Sequence, residues 1–202
     1  TGTLHVTARG PIIHKRYVVN AGWYVDYTVP GNIFYRGEIP INGNEFSASL
    51  IVPKDVVSDT RESRIFLFGD GTGKDASSLI DNLGIGGIDP NAPPDSEGPE
   101  IKLSFDGKTF EDGDYVKRMP TLSAVLSDSS GINMYGNRGH NITVTLDRSE
   151  VFILTDRLKF VGGHSTASLQ FQLPQLSPGE HILEVSAYDS HNNVTKKEVK
   201  LN

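Results

Sequence analysis

The chain has 202 residues, a formal net charge of −6 and no cysteine, with 21 glycines and 11 prolines. Without cysteine there is no disulfide framework, zinc knuckle or thiol nucleophile in this stretch, and the acidic balance argues against the clustered Lys and Arg of a nucleic-acid surface. The longest apolar runs are strand-sized, far below the ~18 residues of a membrane span, so a soluble chain without membrane insertion is expected.

Aromatic and β-branched residues recur in short runs and no long stretch carries helical spacing, so the expected fold is all-β. Thr1 in place of an initiator methionine is expected of a processed product or a piece of something larger. Leu4, Val6 and Ala8 alternate with polar neighbours up to Gly10-Pro11 and predict an opening strand. A second forms around Trp23, Tyr24 and Tyr27 before the turn at Pro30-Gly31, and irregular strand follows from Ile33 to Ile41. Asn42-Gly43-Asn44 is a hairpin-type turn. Phe46, Ala48, Leu50 and Val52 alternate up to Pro53-Lys54-Asp55 and give the clearest strand of the first half; Ile65 to Phe68, wholly apolar, predicts a strand covered on both faces in the core.

Prolines 90, 93, 94 and 99 forbid helix and central strand over the next stretch. The predicted organisation is therefore a first β-sandwich-like domain at 1–87, a connector at 88–99 and an immunoglobulin-like sandwich at 100–202. In the latter, Ile101/Leu103/Phe105, Leu122/Ala124/Leu126, Ile142/Val144/Leu146, Val151/Ile153, Leu169/Phe171/Leu173, Leu183/Val185/Ala187 and Val199/Leu201 mark strands. Loops fall at Asp128-Ser129-Ser130-Gly131, Asn137-Arg138-Gly139-His140 and Asp189-Ser190-His191-Asn192-Asn193.

Catalytic equipment is not expected. Gly69-Asp70-Gly71-Thr72-Gly73-Lys74 follows a strand as a phosphate loop does, but its outer glycines are one residue too close and Asp75 replaces the Mg²⁺-binding hydroxyl. Laid on a calcium loop with Asp70, Thr72 and Asp81 as ligands, the same stretch places Lys74 where an oxygen belongs. A solvated turn is expected there. His5, His14, His140, His164, His181 and His191 are scattered singly and expected at surfaces or turns, and there is no Gly-x-Ser-x-Gly elbow. Along the connector, Asp89, Asp95 and Glu97, with Glu100, are weak candidates for Ca²⁺ between two modules, against the simpler expectation that they solvate a linker. No other cofactor is expected.

The connector Ile85-Gly86-Gly87-Ile88-Asp89-Pro90-Asn91-Ala92-Pro93-Pro94-Asp95-Ser96-Glu97-Gly98-Pro99-Glu100-Ile101 resembles the one near the end of the PorU-type sortases of the type IX secretion system, which are gingipain-like cysteine peptidases. The likeness continues through 126–133, 139–143, 176–181 and 188–193, and upstream through Phe46 to Asp55. Arg157-Leu158-Lys159-Phe160 departs from it, standing where the family tends to carry a tyrosine-rich segment. The resemblance implies an exported protein at the outer membrane or cell surface of a Bacteroidetes-like Gram-negative bacterium. The whole enzyme would remove C-terminal signals from secreted cargo and anchor the cargo at the surface. This stretch would be its non-catalytic structural and interaction region, with the upstream peptidase domain, other secretion-system proteins and cargo as partners. No position here matches the family's catalytic Cys and His. The alternative expectation is a cell-surface adhesin or carbohydrate-binding module using Trp23, Tyr24 and Tyr27 as a stacking platform.

Overall fold

The computed structural model describes residues 2–57, 61–87, 89–136 and 139–202, so the Asn137-Arg138 part of one expected loop and Ile88 of the connector lie outside the described residues. These residues form an all-β fold that includes a short 3-10 helix, Thr155–Arg157. No helix among them is long and apolar enough to cross a membrane.

Before the connector come β1 (Gly2–Arg9), β2 (Ile13–Asn20), β3 (Trp23–Val29), β4 (Ile33–Ile41), β5 (Ser63–Gly71) and β6 (Lys74–Leu83). After it come β7 (Glu100–Phe105), β8 (Lys108–Thr109), β9 (Thr121–Ser127), β10 (Thr143–Leu146), β11 (Glu150–Ile153), β12 (Lys159–Val161), β13 (Thr166–Gln172), β14 (His181–Tyr188) and β15 (Val194–Leu201). They assemble into a nine-stranded sheet of order β6-β5-β1-β4-β12-β13-β9-β7-β8, a four-stranded sheet β11-β10-β14-β15 and a two-stranded ribbon β2-β3. The strands on the two sides of the connector are thus not confined to separate sheets.

Period-two alternation explains most of this. Leu4, Val6 and Ala8 of β1 are buried while His5, Thr7 and Arg9 point the other way, and β1 sits antiparallel between β4 and β5. In the second half the expected alternating sets of β7, β9, β10, β14 and β15 are all buried, for example Leu122, Ala124 and Leu126 at 0% exposure. Side chains from the nine- and four-stranded sheets join one apolar cluster.

Two expectations are corrected. Phe46 to Val52 is not a strand, and Phe46 is half exposed. Its alternation has no partner strand: residues 46–57 run as a strap toward the second half, where Pro53 lacks a donor and Asp55 is captured by side chains. Nor is β5 covered on both faces, because Phe66 and Phe68 are 41% and 46% exposed and only Ile65 and Leu67 pack against the core. An apolar run reports side-chain chemistry, not whether a second layer exists. The Gly69–Lys74 stretch is a hairpin turn, Gly71 pairing with Lys74 and Gly73 taking a φ of 74°.

The two halves meet where β4 and β12 pair in parallel, Phe160 opposite Gly37 and Val161 opposite Glu38. Tyr35 stacks on Phe160 with ring centres 4.9 Å apart and 8° between planes, and its hydroxyl faces the Gly163 carbonyl. The Tyr35 ring leans over Gly37, where a Cβ would lie 2.6 Å from the phenol oxygen. Phe160 and Leu158, from the segment that departs from the family pattern, are buried here.

Gly37→Ala is therefore expected to cost about 1–3 kcal/mol by overpacking, measured by urea unfolding. In a Tyr35→Leu background that penalty should shrink, because the ring that leaves no room is gone.

Candidate functional site

The strap is held by a buried network. Val56 N–H donates to the Pro53 carbonyl and Lys54 N–H to the Ser190 carbonyl, turning Asp55 inward until its side chain is 1% exposed. Its Oδ2 accepts from Asn133 Nδ2 at 2.9 Å and from His140 Nδ1 at 2.8 Å, and its Oδ1 accepts from Asn192 Nδ2 at 3.0 Å. His140 lies against the Tyr188 ring. A buried carboxylate with three donors is satisfied, so the network ties the strap to two distant loops. It has no nucleophile in hydrogen-bond reach among the described contacts.

A second cluster pins the connector. Of Asp89, Asp95 and Glu97, only Asp95 turns inward; Asp89 and Glu97 are exposed, the former accepting from Asn91 N–H in a local turn. Asp95 Oδ1 accepts from Glu97 N–H, and its Oδ2 faces the Ser130 hydroxyl, which also contacts Asp128 Oδ1 at 2.7 Å. The Asp95 carbonyl accepts from Asn193 Nδ2, which also donates to the fully buried Asp189. The Ser130 and Glu97 donors hold the Asp95 carboxyl below its ordinary value, whereas burial, with Asp128 nearby, pushes Asp189 up. Gly98 passes so close to β15 that a Cβ would meet the Val194 carbonyl carbon at 2.5 Å. Sequence reading singled out Asp95 but not Asp128, Asp189 or His191, which come from loops that only the fold brings together.

Ser177, His181 and Asp147 form the one hydroxyl, imidazole and acid trio among the described contacts. His181 Nδ1 is 2.7 Å from Asp147 Oδ2, and Nε2 is 3.3 Å from Ser177 Oγ. Nε2 is also 3.0 Å from the Ser177 carbonyl, which can only accept, so Nε2 carries a proton. With Nδ1 facing a carboxylate, both ring nitrogens meet acceptors, and the hydrogen bond to Asp147, followed by that to Ser177, raises the His181 pKa. Burial alone would push Asp147 up, but His181 and the Ile182 N–H outweigh it and hold the carboxyl low. The contact with Asp147 is the shorter of the two side-chain contacts of the ring, so the pair reads first as an ion pair.

Two open surfaces remain. A polar cleft of about 480 Å³ lies at the seam, with Arg9, Asn32, Arg36, Asn141 and Asp156 in its walls. The β2-β3 ribbon is exposed along its length, Trp23 74%, Tyr17 63% and Tyr27 44%. Tyr17 pairs with Val25, so Trp23, Val25 and Tyr27 share one face with Tyr17 beside them. Arg16 forks onto Asp26 at 2.6 and 2.8 Å on the opposite face and covers Tyr24.

Asp55→Ala removes the acceptor of three donors, the buried Asn133 and the part-buried His140 and Asn192, and is expected to cost about 3 kcal/mol in urea unfolding. The His181–Asp147 pair stabilises fully below the unfolded imidazole pKa of ~6.5 and above the unfolded carboxyl value of ~3.9, and it fades as pH rises through the raised His181 pKa. His181→Gln should therefore lose most stability against the parent near about pH 5.5, with the gap narrowing as pH rises through the raised His181 pKa, read from paired unfolding curves.

No family model matches the chain, and no curated protein matches it. Among solved structures, its fold is similar to part of dimeric latent PorU from Porphyromonas gingivalis, with a TM-score of 0.53 and 24% identity. The match covers 100% of this chain and 20% of that one, so the chain spans about a fifth of the length of that protein.

Proposed function

We propose that this chain is a non-catalytic structural and interaction region of an exported, gingipain-like cysteine peptidase of the type IX secretion sortase kind, working at the cell surface or outer membrane. The observation that carries the proposal is the fold likeness to latent PorU along the entire chain, in agreement with the connector and loop strings that resemble that family. In this proposal β7, β9, β12 and β13 face β10, β11, β14 and β15 as an immunoglobulin-like sandwich, and β1, β4, β5 and β6 extend one of its sheets sideways. Such a body suits positioning: the seam, strap and pinned connector fix its parts, while the ribbon and the exposed Phe66 and Phe68 offer surfaces to an upstream peptidase domain, secretion-system proteins or cargo.

A specific observation favours a second function, a glycan-binding surface: Trp23, Tyr17 and Tyr27 are exposed rather than buried, which suits stacking on sugar rings.

Incubated alone with peptides carrying cargo C-terminal signals, the 202-residue chain should leave them intact by mass spectrometry; turnover that is lost in Ser177→Ala would refute the non-catalytic role. On a glycan array the chain should give no signal that Trp23→Ala removes. A Trp23-dependent signal with the fold retained by circular dichroism would establish the second function instead.

A further inference from the structure

The geometry points to a divalent-cation site where the connector meets the β14-β15 turn, built from Asp95, Asp189 and His191. One carboxylate oxygen from each aspartate and one ring nitrogen of the histidine already lie within 4.8 Å of one another. Zn²⁺ takes such ligands at ~2.0–2.2 Å, which sets them ~3.4 Å apart, so closure needs movement of roughly an ångström. Imidazole among carboxylates suits Zn²⁺ better than Ca²⁺, which prefers an all-oxygen shell.

Three aspartates converge here, Asp95, Asp128 and Asp189. Asp128 and Asp95 both aim a carboxylate oxygen at the Ser130 hydroxyl, whose single proton serves one of them at a time. Asp189 is fully buried beside them. A separate observation concerns polar atoms without partners. Ser190, between the two turn ligands, is 3% exposed, and its hydroxyl makes no hydrogen bond; it faces Gly131 of the turn that carries Asp128 and Ser130. Nδ1 of His191 is likewise sealed from solvent without a partner. Buried polar groups are rarely left so, and a bound ion is one of the few things that accounts for them.

The chain's topology gives the site its consequence. Asp95 belongs to the connector, whereas Asp189 and His191 belong to the turn between β14 and β15, 94 positions or more further along. A cation held by both closes that long loop and fixes the connector to the second half without a disulfide, which a chain lacking cysteine cannot form. Local hydrogen bonds already preorganise the turn: Asp189 Oδ1 accepts from the N–H groups of His191 and Asn193. The site does not depend on the function proposed above.

The test is calorimetric titration of the intact chain with ZnCl₂ and, separately, CaCl₂. One Zn²⁺ per chain is expected, with affinity at least roughly tenfold weaker in His191→Ala and in Asp95→Asn, a loss of one ligand in each. Absence of Zn²⁺ binding, Zn²⁺ binding unaltered by either substitution, or Ca²⁺ binding that survives His191→Ala but not Asp95→Asn would each overturn the assignment. Because Asp95→Asn also disturbs Ser130, a second readout uses the unaltered chain. Zn²⁺ should slow proteolysis of the connector several-fold and EDTA should restore it; cleavage indifferent to bound Zn²⁺ would overturn the role of Asp95.

Discussion

The architecture depends on one contact, the stack of Tyr35 on Phe160 across the parallel β4-β12 seam. Only two residue pairs join those strands, Phe160 with Gly37 and Val161 with Glu38. Main-chain pairing that short is weak, so the seam relies on side chains: the stacked rings add about 0.5–1.5 kcal/mol beyond their burial, and Gly37 leaves the space in which the Tyr35 ring lies. Burial raises the Tyr35 phenol pKa above its ordinary value. The Lys159–Glu38 ion pair beside it is largely exposed and adds little. Because β12 lies between β4 and β13, this contact sits at the one junction of the nine-stranded sheet where strands from the two halves are neighbours.

The strap and connector act as tethers across the same division. Each is held through one aspartate, Asp55 or Asp95, which meets asparagine, serine or histidine side chains from loops of the second half. A carboxylate suits this purpose because it accepts several hydrogen bonds at once and can therefore satisfy donors from separate segments. The β14-β15 turn serves both: Asn192 reaches Asp55 and Asn193 reaches Asp95. One turn thus contacts both tethers, while Asn133, His140 and Ser130 hold them from other loops.

Much of the second half was legible in the sequence because its strands are covered on one face, where burial and alternation coincide. Leu183, Val185 and Ala187, or Val199 and Leu201, needed no tertiary information. The first half was harder to read for a physical reason: alternation at Phe46 to Val52 indicates strand chemistry, yet a strand also needs a neighbour, and Pro53 and Asp55 commit that segment elsewhere. Strand β6 has a polar sequence, Lys74 to Leu83, stabilised by pairing with β5 rather than by any apolar face, so no periodicity announced it. Among site residues, Asp95 was visible through its place in a proline-rich joint. Its companions Asp128, Asp189 and His191 resemble ordinary turn residues until the fold gathers them. The parallel seam had no local signal, since Tyr35 and Phe160 are 125 positions apart.

The same balance of forces bears on the ribbon. A two-stranded hairpin is at best marginally stable in water. Here β2 and β3 have no third strand, and their one bidentate ion pair, Arg16 with Asp26, is more than half exposed on both sides. Nothing in the body covers Tyr17, Val25 or Trp23 among the described residues. The energy that would order this arm is therefore not supplied by the chain's own core. An exposed tryptophan and tyrosines costs little conformational entropy to immobilise, each having only two side-chain torsions, and such residues are enriched where surfaces associate. The rigid parts of this molecule are those its own core and aspartate networks secure. The ribbon departs from that pattern, secured by strand pairing and the Arg16–Asp26 ion pair instead.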